Sequence, residues 1–155
     1  MCVTIEEPML VREALVASPF VVTPDTTLFH FIDGILAGNQ TTASVVDGRL
    51  LVGMVSSTDV LKRLMPPYLQ FDEKLANVLH ATFFEEELGQ LRNVRVRDVM
   101  TWPADTLPPD APVMQAVSLF VQRSLKTVPV VEDRDFLGAV TRRSVLTLIR
   151  GAAAR

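Results

Sequence analysis

The sequence predicts an α/β fold made of two pseudo-symmetric β-α-β-β-α repeats with a helical insert between them. Three observations carry that prediction. The chain matches itself without a gap when Gly53 is laid on Gly138, an offset of 85 residues. Within each copy, apolar residues alternate between strand spacing and the 3–4 residue spacing of a buried helical face. Turn-forming pairs also punctuate both copies at matching places.

In the same register Val11-Arg12 falls on Val96-Arg97, Asp25 on Asp110 and Thr42 on Thr127. Val45-Val46 falls on Val130-Val131, Arg49 on Arg134, Val55 on Val140, and Val60-Leu61 on Val145-Leu146. Other pairs keep their character: Leu15 with Met100, Leu28 with Val113, Leu36 with Val121. Self-similarity at a fixed period is the mark of repeat architecture.

Each copy starts with a lead-in, "VREALV" at 11–16 and "VRDVMT" at 96–101. A short extended segment follows, Phe20-Val21-Val22 and Asp105-Thr106-Leu107. It runs into "TPDT" or "PPDA", where Pro fixes φ and Asp can cap. Leu28, Phe29, Ile32, Ile35 and Leu36 then predict a helix with a buried face, matched by Val113, Val117, Phe120 and Val121. Two strands joined by a charged turn come next, "ASVVDGRLLVGMV" and "VPVVEDRDFLGAV". A second helix closes each copy, from about Ser57 and from about Arg142. The divisions are 1–65 for the first repeat with its lead-in, 66–95 for the insert, 96–150 for the second repeat and 151–155 for a tail. In the insert, Pro66-Pro67 stops the preceding helix. Leu75, Val78, Leu79, Phe83, Phe84, Leu88 and Leu91 then suggest one or two amphipathic helices with an acidic face at Glu85-Glu86-Glu87. Such a hairpin packs on the repeats or on a dimer partner, or serves as a lid or docking arm.

Composition narrows the function classes. With 155 residues, 48% hydrophobic and 21% charged, the chain reads as globular, soluble protein. A formal net charge of −3 gives no global attraction to nucleic acid or to an anionic membrane. The single cysteine, Cys2, allows no internal disulfide and no cysteine-rich zinc site, which fits a reducing cytoplasm. His30 and His80 lie far apart, so no metal site is expected, and no signal peptide or membrane span is read. "GILAGNQTT" lacks the spacing of a phosphate-cradling loop, and no catalytic set accompanies the carboxylates.

The two copies, each with an "hPVV-acid" strand and a strand-to-helix junction ("GMVSSTDVL", "GAVTRRSVL"), resemble a tandem pair of cystathionine-β-synthase (CBS) domains, a Bateman module. The resemblance covers about residues 10–65 and 95–150. It implies repeats packed through their sheets, a homodimer, and a sensory module rather than an enzyme. It implies no catalytic cofactor; an adenosine-containing ligand (AMP, ADP, ATP or S-adenosylmethionine) acts as regulator, and its occupancy is passed to a partner protein. A ligand-free interaction module is the alternative.

The junction at 53–61 is where these readings meet. Gly53 permits close backbone approach. Ser56 stands at a helix N-terminus, where free N–H groups and the dipole favour phosphate. The Asp59 carboxylate, one turn in, can accept two charge-assisted bonds from a ribose diol. Ser56-x-x-Asp59 is equally a capping box that stabilises the helix with no ligand at all. The resemblance puts ribose on Asp59, phosphate on Ser56 and Thr58, and the base against the backbone of Met54. From the second repeat it adds Thr101, Leu125 over the adenine and Lys126 for phosphate. Trp102, beside Thr101, reads from its own chemistry as either a stacking platform or packing. The equivalent junction of the second repeat keeps the hydroxyl of Thr141 but has Ser144 in place of the aspartate. That second site is expected to be weaker, with Arg142 and Arg143 either attracting phosphate or merely solvated.

Overall fold

The computed structural model describes residues 7–65 and 81–153. In chain order its elements are β1 (Val21–Val22), α1 (Leu28–Ala37), β2 (Thr42–Asp47), β3 (Leu50–Ser56), α2 (Ser57–Leu64), α3 (Ala81–Gln90), α4 (Val113–Gln122), β4 (Thr127–Glu132), β5 (Asp135–Thr141) and α5 (Arg142–Ala153). Three 3-10 turns accompany them: Val11–Ala14, Leu91–Asn93 and Val96–Asp98. Both repeats therefore carry the helix–hairpin–helix core. The second repeat departs in one place: Asp105-Thr106-Leu107 forms no strand, and only Leu107 bridges to Val130. Of the insert, the expected positions Pro66, Pro67, Leu75, Val78 and Leu79 lie outside the described residues.

The chain divides into two compact units, and the division cuts across the sequence repeats. One unit comprises Phe20–Gly48 and Val52–Ala104; the other comprises Met1–Pro19, Arg49–Leu51 and Asp105–Arg155. Each lead-in is thus built into the unit of the other repeat.

In the first of these units β1 pairs in parallel with β2, Val21 opposite Ser44 and Val22 opposite Val45. Its core gathers Leu28 and Phe31 of α1, Ala43 and Val45 of β2, Val55 of β3, Val60 of α2, and Leu91 and Val96. Val96 belongs to the second repeat's lead-in. Its N–H donates to the Thr26 carbonyl at 2.8 Å, and the Arg97 N–H to the Pro24 carbonyl at 3.1 Å. Leu28 donates to Val94 at 2.9 Å, so the first turn of α1 finds a partner for an N–H that no helix can satisfy internally.

The other unit repeats this design. Val11 donates to Ala111 at 2.8 Å, Arg12 to Pro109 at 3.1 Å and Val113 to Met9 at 2.8 Å. Its core holds Val11, Ala14, Leu107, Val113, Ala116, Phe120, Val128, Val130, Val140 and Val145. β4 and β5 form an antiparallel hairpin whose turn places Asp133 (φ 50°) and Arg134 (φ 73°) in the left-handed region, as a two-residue hairpin turn of matching twist requires. The Arg49–Leu51 segment joins this unit through Phe136 N–H to Arg49 O at 2.8 Å and Leu51 N–H to Arg134 O at 3.3 Å.

The helical faces differ from the expected ones at two residues. Leu36 is 78% exposed and Val121 74%. The buried stripes are instead Leu28-Phe31-Ile32-Ile35 and Val113-Ala116-Val117-Phe120, a strict i, i+3, i+4, i+7 pattern that leaves 36 and 121 one residue, about 100°, off the stripe. Phe31, fully buried and stacked at 5.6 Å on Phe20, is the core residue that the repeat comparison passed over.

Candidate functional site

Gly53 introduces the candidate site. A Cβ there would lie 2.9 Å from the Met100 sulfur and 3.0 Å from the Thr101 carbonyl oxygen. The glycine therefore makes room for the second lead-in. Its counterpart Gly138 (φ 154°) faces Leu15 at 3.2 Å, and Leu15 is the equivalent of Met100. Only glycine is at ease in that conformation.

Over Gly53 the chain lays an antiparallel bridge. Met54 N–H donates to the Thr101 carbonyl at 3.0 Å, and Thr101 N–H returns a bond to the Met54 carbonyl at 2.8 Å. A pair that exchanges both bonds presents its two side chains on one face, and the two-residue period of β3 puts Ser56 on that face too. The Met54 backbone expected to meet a base has its N–H engaged by Thr101; its carbonyl keeps a second lone pair. The second repeat has the same link as a single bond, Val16 N–H to Ala139 O at 2.9 Å.

β3 ends at Ser56, which has extended backbone angles (φ −133°, ψ 166°) and is the N-cap of α2. Asp59 Oδ2 accepts from the Ser56 N–H at 2.8 Å and from its hydroxyl at 3.2 Å. Among the described residues nothing donates to Oδ1. Asp59 and Ser56 are partly buried, while Thr58 and Thr101 are exposed. Charge on α2 follows the helix dipole, with Asp59 in the first turn and Lys62 and Arg63 in the last. Trp102, next to Thr101, is 51% exposed and belongs to neither core.

The equivalent junction in the other unit is capped by two hydroxyls instead of a carboxylate. Thr141 N–H donates to Ser144 Oγ at 2.9 Å, Ser144 N–H to Thr141 Oγ1 at 3.0 Å, and Ser144 Oγ–H to the Thr141 carbonyl at 3.0 Å. Arg142 turns away from its own helix: Nε donates to the Leu125 carbonyl at 2.9 Å and Nη2 to the Phe120 carbonyl at 3.4 Å. Arg143 and Lys126 are exposed and Leu125 is partly buried. The structure thus brings Met54, Ser56, Thr58, Asp59 and Thr101 into one unit, and Leu125, Lys126, Thr141, Arg142 and Arg143 into the other. The Thr101 link was legible, because the lead-in carries the repeat; the use of Arg142 was not, because nothing in the first repeat corresponds to it.

This fold and this junction define a class, the CBS domain pair, and the chain belongs to the CBS domain family. The family model matches residues 4–66 and 96–151. An uncharacterized protein of Methanocaldococcus jannaschii, MJ1426, is 30% identical over 154 residues, covering 90% of each chain. Among solved structures, the CBS-pair protein CBSX2 of Arabidopsis thaliana superposes with a TM-score of 0.78 at 19% identity, over 96% of this chain and 99% of its own. CBSX2 has also been solved in complex with AMP (TM-score 0.70, 20% identity, 93% and 98% of the two chains). The CBS domain pair of protein MJ0100, in complex with 5′-methylthioadenosine and S-adenosyl-L-methionine, gives a TM-score of 0.66 at 21% identity, over 94% and 99%. Among the described residues no helix is long and apolar enough to cross a membrane.

Proposed function

We propose that the protein is a regulatory module whose first repeat binds an adenosine-containing ligand and signals its occupancy to a partner. The observation that carries this reading is the half-engaged carboxylate of Asp59. Its Oδ2 is fixed by two bonds from Ser56, which orients the group, while Oδ1 takes no bond among the described residues. A carboxylate held by one oxygen is a preorganised acceptor, and charge-assisted bonds to a ribose hydroxyl are about twice as strong as neutral ones. Ser56 and Thr58 supply hydroxyls at the start of α2, where backbone N–H groups and the helix dipole favour phosphate. Thr101, on the Ser56 face of β3, completes the polar set. Two CBS-pair structures of the same fold hold AMP or S-adenosylmethionine, which supports the ligand class.

The protein acts as a homodimer in this reading. Leu36 and Leu61 on α1 and α2, and their equivalents Val121 and Leu146 on α4 and α5, are each more than 60% exposed, apolar side chains at matching places of each unit that self-association would cover. A ligand shifts the conformation of such a module only by its differential affinity for two states.

A second reading, an interaction module without a ligand, draws on the same bonds: Ser56 and Asp59 already cap α2. Thermal denaturation with AMP, ADP, ATP and S-adenosylmethionine separates the two. Under the sensor reading one of these raises the melting temperature, since a ligand at 100 times its Kd adds about 2.7 kcal/mol. Cooperative melting unmoved by all four leaves the interaction module.

A further inference from the structure

A net charge of −3 hides two helices of opposite sign. α3 carries Glu85, Glu86 and Glu87 and no basic residue, whereas α5 carries Arg142, Arg143 and Arg150 and no acidic one. On both, charge is arranged about an exposed apolar stripe. Phe84 and Leu88 of α3 lie four residues apart and so share a face; they are 55% and 37% exposed. At about 100° per residue, Glu85 and Glu87 flank that stripe on its two sides. On α5, Arg143, Leu146 and Arg150 recur at i, i+3 and i+7, with Ile149 beside them. Leu146 is 64% exposed and Ile149 39%. α4 packs beside α5, has no charged residue, and exposes Met114 and Val121.

None of Glu85, Glu87, Arg143 and Arg150 forms an ion pair among the described residues. Nor does the duplication account for either stripe. The places of Arg143 and Arg150 are held by Thr58 and Met65 in the first repeat, where α2 also carries Asp59. α3 belongs to the insert, which occurs once. Within its own unit α3 packs beside α2, the repeat equivalent of α5, so a helix at this place in the repeat is a surface that α3 already meets.

Resting on the homodimer reading above, we infer that the two copies are joined by α3 of one laid on the α4–α5 face of the other. Phe84 and Leu88 meet Leu146 and Ile149, and Glu85 and Glu87 meet Arg143 and Arg150. The exchange is reciprocal, so the contact occurs twice about a two-fold axis and closes the dimer. Burial of the apolar stripes supplies the attraction. Opposite charge fixes the register and disfavours the like-charged pairings, α3 on α3 and α5 on α5.

Sedimentation equilibrium of the full chain tests the contact by charge reversal. The wild type should be a dimer that loosens as salt is raised. Glu85→Lys/Glu87→Lys sets Lys against Arg at both contacts, and Arg143→Glu/Arg150→Glu sets Glu against Glu. Each variant, folded by circular dichroism, should dimerise at least tenfold more weakly. Mixed in equal amounts, the two variants pair opposite charges at both contacts again and should form a heterodimer as tight as the wild-type dimer. Folded variants that dimerise as tightly as the wild type, or that mixing does not restore, overturn the contact while the homodimer stands. A wild type that is monomeric at every concentration overturns the homodimer and the contact together, and leaves the α5 stripe to a different protein.

Discussion

Asp59 Oδ2 receives two hydrogen bonds from a single residue, Ser56, through its backbone N–H at 2.8 Å and its hydroxyl at 3.2 Å. The cap and the proposed ligand site therefore share one carboxylate, with Oδ2 in the cap and Oδ1 taking no bond among the described residues. This makes their contributions separable by substitution.

Asp59→Asn keeps an oxygen for the Ser56 N–H but loses the charge. It should melt close to the wild type and bind an adenosine ligand at least tenfold more weakly, a change of about 1.4 kcal/mol. Asp59→Ala removes the cap as well and should lose about 1 kcal/mol of stability. Urea denaturation of the three proteins without ligand checks the first half, and titration with AMP the second.

Gly53→Ala would push a methyl group against Met100 Sδ and the Thr101 carbonyl oxygen. The sulfur can swing aside; the backbone oxygen can do so only by loosening the Met54–Thr101 bridge. Overpacking of this kind should cost about 1–3 kcal/mol, and the double variant with Met100→Ala should recover only part of it in urea denaturation.

Arg97 pairs with Asp25, and Arg12 with Asp110, at equivalent places in the two units. All four side chains are at least half exposed. Each pair should be worth about 0.2–1 kcal/mol in a double-mutant cycle, and less as salt is raised. The neighbouring backbone bonds from Val96 and Val11 anchor the lead-ins more firmly, because they lie in the core.

Ser44 is 1% exposed and its Oγ has no hydrogen-bond partner among the described residues. Ser44→Ala should therefore raise stability, by about 1 kcal/mol. The equivalent residue in the other repeat is Pro129, yet Ser44→Pro should destabilise, because the Ser44 N–H donates to the Phe20 carbonyl at 3.0 Å. Thermal melts of both variants check the opposite signs.

Much of the fold was legible because duplication doubles every signal. Gly53 with Gly138 and Val45-Val46 with Val130-Val131 mark the hairpins in the sequence itself. Spacing alone did not say that Leu36 and Val121 point outward, since a helix of one and a half apolar faces has two candidate stripes until something packs on it. Nor does the repeat announce that Val11 is buried with Val113 while Val96 is buried with Leu28. That exchange is a tertiary choice, made by backbone bonds such as Val96 to Thr26, and backbone bonds leave no side-chain signature. At the site, Ser56 and Asp59 were legible as a pair, but which oxygen stays open was not. The two bonds of Arg142 were not legible from its place at a helix start, because its partners on α4 and just beyond lie about 20 residues away in sequence.

The central proposal is that Asp59 Oδ1, which takes no bond among the described residues, holds the ribose of an adenosine ligand. Calorimetric titration of the wild type and Asp59→Asn with AMP and with S-adenosylmethionine tests it most directly. Saturable binding of at least one of them by the wild type, and a loss of tenfold or more in Asp59→Asn at unchanged melting temperature, are expected. Equal affinity in the two proteins, or no heat from either ligand with a folded wild type, would contradict it and leave Asp59 a helix cap alone.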